Sequence, residues 1–263
     1  MSVLVFDIGG TNMRLGIGEG NTVSEIETTP TPADPQAAAS SISEYLHKQI
    51  SAPERIVGGV AGTIVDGTIL RSPNLPEWNG VSFRDLLSEA TGLPVSLHND
   101  ADLGGLGEAV YGAGKEYAHV GYLAIGTGVG GTLVHSKRIV PFADGIEPGK
   151  QILEYSTGMI LEDFVSGAGI KKETGEDSEK AGRAFYTERT KVLAAGIYNT
   201  VRHWSPEVFV LNGALMNEET AFKVKEIQDE LEKISKGTPM PVLVRGALGS
   251  EAGLYGALAV SEA

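Results

Sequence analysis

The chain begins with a carboxylate placed just before a glycine turn. Residues 3–17 read VLVFDIGGTNMRLGI, in which an apolar run ends at Asp7 and a second apolar run follows Gly9, Gly10 and Thr11. The pattern predicts two strands joined by a polar turn. Adjacent glycines let backbone amides approach an anion that a Cβ would exclude, and a carboxylate beside a phosphate calls for a divalent metal. The stretch is therefore either a phosphate and metal site or an ordinary hairpin.

A second stretch repeats this layout about half a chain later. Residues 121–134 read GYLAIGTGVGGTLV, an apolar strand, a turn at Gly126, Thr127 and Gly128, and another apolar strand. The repeat indicates a duplicated lobe, and two such hairpins are able to hold one polyphosphate from both sides. The position equivalent to Asp7 is Ala124, so only the first copy offers a metal carboxylate.

Two further stretches put polar or small residues directly after a predicted strand. Residues 98–102, HNDAD, follow one strand and begin a helix, at the strand end where α/β proteins usually carry their chemistry. Asp100 is either a general base or a plain helix N-cap. Residues 58–62, GGVAG, follow another strand, and they indicate either close approach to a ligand or a crowded crossover.

Composition excludes several classes of protein. With 263 residues, 41% of them hydrophobic and 21% charged, the chain is typical of a soluble globular protein of one large domain or two lobes. A net charge of -13 argues against a nucleic-acid surface, and the absence of cysteine excludes disulfides and thiolate zinc sites. No apolar run approaches the length of a membrane span. We expect a cytoplasmic protein that binds neither nucleic acid nor membrane.

The elements that position these residues alternate between strands and helices. Asp34 and Pro35 are typical of a helix start, residues 193–204 form an amphipathic helix, and residues 208–211 form a buried strand before Asn212 and Gly213. The terminal segment 250–260 is a helix rich in small residues, suited to close packing between lobes. Residues 142–170 look irregular, with a helix opening near Ser156.

Taken together, the motifs resemble those of the ROK family of sugar kinases, within the actin-like ATPase superfamily. The resemblance covers essentially the whole chain. DIGGT at Asp7–Thr11 resembles the first phosphate motif, IGTGVGG at Ile125–Gly131 the second, and VLNGALM at Val210–Met216 the adenosine motif. PNLPEW, which contains Asn74, and HNDAD resemble the sugar side. Several motifs in the expected order are far more specific than any single glycine cluster.

The resemblance implies a fold as well as a reaction. The fold is α/β, the two-lobed actin-like ATPase (ribonuclease H-like) fold, with duplicated mixed-sheet lobes and a central cleft. Residues 1–105 with the terminal helix 248–263 would form the N-terminal lobe, and residues 106–247 the C-terminal lobe. Closure on the sugar would expel water that otherwise accepts the phosphate.

The implied activity is ATP-dependent phosphorylation of a hexose hydroxyl, most similar to that of glucokinases. Asp100 would be the base that takes the hydroxyl proton, and Asp7 would hold Mg²⁺ on the nucleotide. The residues implied to bind ATP are Gly9, Gly10, Thr11, Asn12, Gly126, Thr127, Gly128 and Gly213. Those implied to bind the sugar are Gly62, Asn74, Asn99, Glu147, Lys150 and Glu162.

The chain departs from the family at the sugar side. Where relatives have glutamate-any-glycine-histidine, this chain has Glu147 followed by Pro-Gly and then Lys150. The cysteine-rich zinc loop is absent, so no structural zinc is expected, and the loop at residues 151–157 is predicted to be mobile. Glu162 still matches a sugar-binding glutamate. A lysine donates only and sits on a flexible stem, so Lys150 either contacts the sugar or pairs with Glu154.

Three alternatives stay open at this stage. The substrate is glucose or another hexose, such as fructose, mannose or an N-acetylated sugar. A non-catalytic sugar-binding protein is the third alternative, although retention of Asp7 and Asp100 counts against it. The expected partners are a hexose and ATP, and a homodimer through faces near Phe185, Tyr186 and Tyr198 is open.

Overall fold

A computed structural model describes residues 2–49, 52–141, 145–217, 219 and 221–262. Its strands are β1 Ser2–Ile8, β2 Asn12–Glu19, β3 Thr22–Pro30, β4 Arg55–Val60, β5 Thr63–Val65, β6 Thr68–Arg71, β7 Val95–Asn99, β8 His119–Ile125, β9 Val129–His135, β10 Arg138–Ile139, β11 Ile152–Glu154, β12 Met159–Ile160, β13 Val208–Asn212 and β14 Val242–Arg245. Its helices are α1 Pro35–His47, α2 Phe83–Thr91, α3 Asp100–Val110, α4 Leu161–Val165, α5 Gly167–Thr174, α6 Arg183–Trp204, α7 Val224–Ser235 and α8 Ala252–Glu262.

The chain divides into two compact units. Unit 1 comprises Met1–Tyr111 with Glu251–Ala263, and unit 2 comprises Gly112–Ser250. The boundary suggested by the sequence, after residue 105, falls inside α3. That helix is continuous through Val110, with its amides and carbonyls paired along its length, so it belongs whole to unit 1.

The sheet of unit 1 has the strand order β3-β2-β1-β4-β7. Strands β1, β2 and β3 pair antiparallel, whereas β4 runs parallel to β1 and β7 parallel to β4. One face of the sheet buries side chains of α1 and α2, including Ile42 and Leu87. The other face buries α3 and α8 through Leu103 and Leu254. The sheet therefore lies between two helical layers.

Unit 2 repeats the same sheet with the order β10-β9-β8-β13-β14. Its first three strands are again antiparallel and its last two parallel. Strands β1 and β8 even share the same sequence of buried and half-buried positions. The predicted duplication and mixed α/β fold are therefore confirmed. Tyr186, expected near an exposed face, is instead buried against Phe222 in the core of unit 2.

Glycines allow α3 and α8 of unit 1 to approach each other at backbone distance. A Cβ at Gly256 would lie 1.9 Å from the carbonyl oxygen of Leu103, and one at Gly107 would lie 2.2 Å from that of Ala252. The small residues of the terminal helix were expected to serve packing between lobes. Within unit 1, Gly256 packs against the backbone of α3, whereas Gly253 lies against Asp7 of β1.

We expect Gly256→Ala to lower the free energy of unfolding by about 1–3 kcal/mol, since the added methyl group overpacks a rigid backbone contact. Urea denaturation followed by far-ultraviolet circular dichroism measures the change. Ala259→Ser, at a half-buried position of the same helix, is the control and should stay within about 0.5 kcal/mol of wild type. An unchanged midpoint for Gly256→Ala would contradict the close packing of these helices.

The segment before α5 is more regular than the sequence indicated. Strands β11 and β12 form an antiparallel hairpin, and the following helix starts at Leu161 rather than near Ser156. The side chain of Gln151 donates to the carbonyl oxygens of Pro148 at 2.8 Å and Gly196 at 3.2 Å. Gly196, 45 residues further along the chain, therefore helps to hold the start of the loop, which the local pattern did not reveal. Across the described residues, no helix combines the length and apolarity needed to cross a membrane.

Candidate active site

The first glycine turn of unit 1 is closed by its own backbone and anchored from outside. The amide of Gly9 donates to the carbonyl oxygen of Asn12 at 3.0 Å, which closes the turn between β1 and β2. Thr31 donates its hydroxyl to the carbonyl oxygen of Gly9 at 2.7 Å and its amide to that of Thr11 at 3.0 Å. One of the turn amides proposed as an anion nest, that of Gly9, is therefore used by the turn itself.

The loop that carries Asn74 lies directly against this turn. A Cβ at Gly10 would be 2.6 Å from the Cβ of Asn74, so only glycine fits there with the present backbone. The loop is held by Trp78, whose fully buried indole donates to the carbonyl oxygen of Ala33 at 2.9 Å. Asn79 accepts the amide of Ser72 at 2.6 Å. The predicted sugar side and the predicted phosphate turn thus meet within unit 1.

Asp7 lies at the end of β1, with its side chain 16% exposed. Arg14, opposite it on β2, brings a guanidinium nitrogen to 3.7 Å from its carboxylate. A Cβ at Gly253, in the first turn of α8, would lie 2.6 Å from the carboxyl carbon. Burial raises the pKa of Asp7 to about 6, and the charge of Arg14 opposes part of this rise.

Asp100 is the first residue of α3, and Asn99 is the N-cap. The Oδ1 atom of Asn99 accepts the amide of Asp102 at 3.0 Å, so the alternative that Asp100 serves as the N-cap is wrong. Asn99 also donates its Nδ2 to the carbonyl oxygen of Gly62 at 2.9 Å. Gly62 has φ +135°, where a Cβ would lie 2.4 Å from the carbonyl oxygen of Arg71. Gly62 and Asn99 therefore shape the strand ends around Asp100.

The carboxyl group of Asp100 has the pKa expected of a base that works near neutral pH. Burial and the neighbouring charge of Asp7 raise the pKa of Asp100 to about 7. Hydrogen bonds from the backbone amides of Ala101 and of Asp100 itself oppose the rise, and the charge of Asp102 adds a smaller increase. A general base is most effective when its pKa lies near the working pH.

The donor set of unit 1 fits a nucleotide-bound magnesium ion. Mg²⁺ is usually held by one or two carboxylates together with substrate phosphates, and it keeps several waters. Asp7 supplies one carboxylate at the glycine turn, and the nearest guanidinium nitrogen of Arg14 lies 3.7 Å from it. Within the described ranges, no three His, Cys, Asp or Glu side chains form a cage for a metal ion. The residues therefore suit a metal that arrives with the nucleotide.

The second glycine turn, in unit 2, also has three residues between its strands and is backed by a helix. The amide of Gly126 donates to the carbonyl oxygen of Gly128 at 3.0 Å. The first two amides of α5, those of Gly167 and Ala168, donate to the carbonyl oxygens of Gly126 at 2.8 Å and Thr127 at 3.0 Å. The carbonyl oxygens of the turn thus face the helix. Among the described residues other than its own neighbours in the chain, none has an atom within 4 Å of a Cβ placed at Gly126. Such a turn is open for a ligand to approach.

The loop after β13 folds over the end of β8. Gly213 has φ +102°, and a Cβ there would lie 2.4 Å from the carbonyl oxygen of Ile125. Leu215 donates its amide to that same oxygen at 3.0 Å. The side chain of Asn212 accepts the amide of Gly213 at 2.8 Å and donates to the carbonyl oxygen of Gly249 at 2.9 Å. The predicted adenosine motif therefore lies beside the second glycine turn.

Lys150 pairs with Glu162 and leaves Glu154 to other partners. The Nζ atom of Lys150 lies 2.5 Å from Oε1 of Glu162, while Glu154 accepts the hydroxyl of Thr157 at 2.7 Å. The alternative that Lys150 pairs with Glu154 is wrong, because Lys150 ends a 3-10 turn and Glu154 lies in β11, where helical spacing does not apply. Glu147, at the other end of the 3-10 turn, is exposed.

Each unit therefore gathers its own share of the predicted site residues. Unit 1 brings together the residues near the ends of β1, β4 and β7, which are Asp7, Gly9, Gly10, Thr11, Asn12, Gly62, Asn74, Asn99 and Asp100. Unit 2 carries Gly126, Thr127, Gly128, Glu147, Lys150, Glu162 and Gly213.

Sequence reasoning missed three participants. Arg14 faces Asp7 across the hairpin, and Gly253 lies against the Asp7 carboxyl group. Val129 donates its amide to Oε2 of Glu162 at 2.7 Å. Arg14 was detectable from the hairpin, since a tight turn places it opposite Asp7. The other two contacts are non-local and left no local signal.

Comparison with known proteins places the chain in a family. The sequence model described as "ROK family" matches residues 3–149, more than half of the chain. Polyphosphate glucokinase from Mycobacterium leprae is 27% identical over 98% of this chain and 74% of the relative. Beta-glucoside kinase from Listeria monocytogenes is 26% identical over 98% of this chain and 96% of the relative.

A solved structure, the ROK hexokinase from Thermus thermophilus, superposes with a TM-score of 0.86 over 100% of both chains at 26% identity. The match covers both units, including their glycine turns and the end of β7. The fold, the repeated sheets and the family model agree with one another. The chain therefore belongs to the ROK family, and it is a sugar kinase of the actin-like ATPase superfamily.

Proposed function

We propose that this protein transfers the γ-phosphate of ATP to a hydroxyl group of a hexose, in the manner of a glucokinase. The observation that carries the proposal is Asp100, a half-buried carboxyl group at the start of α3 whose pKa is raised to about 7. Relatives named glucokinase, polyphosphate glucokinase and beta-glucoside kinase support the substrate class. A glucokinase of the same fold from Streptomyces griseus was solved with glucose and the ATP analogue AMPPNP.

In the proposed reaction, the oxygen of the sugar hydroxyl attacks the γ-phosphorus. The Asp100 carboxylate accepts the proton of that hydroxyl. The bond from that phosphorus to the β,γ-bridging oxygen breaks, and ADP leaves. Phosphoryl transfer depends mainly on positioning and on stabilising charge at the transferred group. For this purpose, the glycine turns at residues 9–12 and 126–128 would supply backbone amides other than those of Gly9 and Gly126, together with the hydroxyl groups of Thr11 and Thr127.

Mg²⁺, when bound with the nucleotide, would neutralise phosphate charge, and Asp7 is the carboxylate that would hold it. Arg14 keeps Asp7 oriented along the hairpin. Gly213, beside the second glycine turn, is proposed to lie beneath the adenine. We further propose that units 1 and 2 act as the two lobes of the kinase, and that the acidic chain does not bind nucleic acid.

The sugar is proposed to contact residues of both units. In unit 1, Asn74 and the strand ends at Gly62 and Asn99 would bind sugar hydroxyls near Asp100. Both ends of the Asn99 amide already have backbone partners, so its role includes holding the strand ends in place. In unit 2, Glu147 and Glu162 would accept hydrogen bonds from sugar hydroxyl groups, with Lys150 beside Glu162.

A second candidate function is phosphorylation of another hexose, such as mannose, fructose or an N-acetylated sugar. The Lys150–Glu162 pair favours this second candidate. A cation next to the glutamate proposed to bind the sugar changes the hydrogen-bond donors and acceptors that the sugar contacts. A relative by structure is described as a putative N-acetylmannosamine kinase. At 19% identity, this likeness bears on the fold alone.

A coupled assay of ADP release over a panel of hexoses tests the proposal. With ATP and Mg²⁺, we expect release to depend on one or a few hexoses and to be slow without sugar. Inorganic polyphosphate replaces ATP in a parallel series to identify the donor. Binding of a sugar without turnover for any sugar and donor would contradict the kinase proposal and would favour a non-catalytic sugar-binding protein.

A further inference from the structure

The Glu162 carboxylate of unit 2 joins three segments of the chain. Its Oε1 atom lies 2.5 Å from the Nζ atom of Lys150, and its Oε2 atom accepts the amide of Val129 at 2.7 Å. Val129 is the first residue of β9, immediately after the glycine turn. Glu162 itself is on α4, and Lys150 ends the 3-10 turn that begins after Glu147.

This pair differs from an ordinary surface ion pair in how firmly its carboxylate is held. Both oxygen atoms of Glu162 have a donor, and the backbone of the 3-10 turn is pressed against the same strand. A Cβ at Gly149 would lie 2.3 Å from the carbonyl oxygen of Val129. A neighbouring pair, Asp163 of α4 with Lys172 of α5, is 3.7 Å apart, with the lysine side chain 81% exposed. The Glu162 side chain is 24% exposed.

The ammonium group of Lys150 compensates the negative charge of Glu162, the carboxylate proposed to bind the sugar on this unit. A carboxylate that accepts one bond on each oxygen keeps lone pairs free for neutral hydroxyl groups. Its attraction for a cation is weakened, because the ammonium group beside it repels a second positive charge.

We propose that Lys150 determines specificity by charge, holding Glu162 against Val129 and lowering the affinity of this site for cationic amino sugars relative to neutral hexoses. The proposal rests on the proposed hexose kinase function and adds a substrate class that the site disfavours. Lys150 acts here by holding Glu162 and by repelling a second positive charge. It needs no direct bond to the sugar.

The test compares wild type with Lys150→Met, which keeps the length of the stem and removes the charge. Calorimetry without nucleotide measures the dissociation constants of the preferred aldohexose from the panel and of its 2-amino-2-deoxy counterpart. At a pH where the amino group is protonated, we expect Lys150→Met to raise the affinity for the amino sugar, relative to that for the neutral sugar, by roughly 2- to 5-fold. This is the size expected for a partly exposed charge. At a pH where the amine is neutral, this gain should disappear.

Two further variants separate charge from structure. Lys150→Arg keeps the cation and should keep the wild-type ratio of the two dissociation constants. Lys172→Met removes the lysine of the neighbouring pair with Asp163, and this variant should also keep the wild-type ratio. An unchanged ratio in Lys150→Met, with the fold intact by thermal unfolding, would overturn the inference while leaving the kinase proposal in place. Failure of the wild-type protein to bind or phosphorylate any hexose would overturn both.

Discussion

Replacement of Asp100 by asparagine is expected to lower kcat by about 10²- to 10⁴-fold while the hexose still binds, because a positioned base contributes a rate factor of this size. Asparagine has nearly the same shape as aspartate, and its amide cannot take the hydroxyl proton. The backbone amides of Asp100 and Ala101, which now donate to the carboxylate, can still donate to the amide oxygen. The α3 N-terminus should therefore keep its structure.

Steady-state kinetics with the preferred hexose gives kcat, and calorimetry gives sugar affinity for the same preparation. Asp102→Asn is the matched control. It removes a carboxylate from the same first turn of α3, where Asp102 contributes only a minor part of the rise in the Asp100 pKa. We expect its kcat to stay within a few-fold of wild type. Wild-type turnover in Asp100→Asn would show that another group takes the proton.

The sequence predicted well those parts of the site that arise from local patterns. A strand, a glycine turn and a second strand define each hairpin, so their type follows from neighbouring residues, and Asp7 and Asp100 were identified as candidate carboxylates. The coupling between these two carboxyl groups was not predicted. It depends on β1, β4 and β7 being adjacent, with Asp7 beside Gly59 and Gly59 beside His98, a pairing between segments far apart in sequence.

The region around Lys150 shows why the rest was harder to predict. A spacing of four residues suggested a partner at Glu154, which is valid only on a helix. The chain turns after Lys150 and returns through a hairpin, so Glu162, twelve residues away, becomes the partner instead. The contact of Glu162 with Val129 uses a backbone amide, and backbone donors carry no sequence signal. Long-range pairing therefore decided the chemistry at this position.

Asp7→Asn is expected to have the second large effect, and it acts in two ways. Loss of the carboxylate that would hold Mg²⁺ should lower kcat by about 10²-fold or more, since metal stabilisation of the transferred phosphoryl group is worth several kcal/mol. More Mg²⁺ should be needed to reach half of the remaining activity. Asparagine fits the space beside Gly253, whose Cβ position lies 2.6 Å from the Asp7 carboxyl carbon.

The second effect of Asp7→Asn is a change in pH dependence. In the wild-type protein, kcat/KM for the nucleotide should fall as pH drops through about 7, because Asp100 becomes protonated and can no longer act as a base. The negative charge of Asp7 is, after burial, the largest cause of the raised pKa of Asp100. A neutral residue at position 7 removes this repulsion and favours the ionised base. The midpoint of the residual activity should therefore move to lower pH.

The two effects have separate readouts, so each can fail alone. A pH profile of kcat/KM reports the free enzyme, and a Mg²⁺ titration at fixed pH reports the metal. If the midpoint stays near 7 in Asp7→Asn, the charge of Asp7 does not set the pKa of the base. If the Mg²⁺ requirement is unchanged, Asp7 is not the carboxylate that holds the metal.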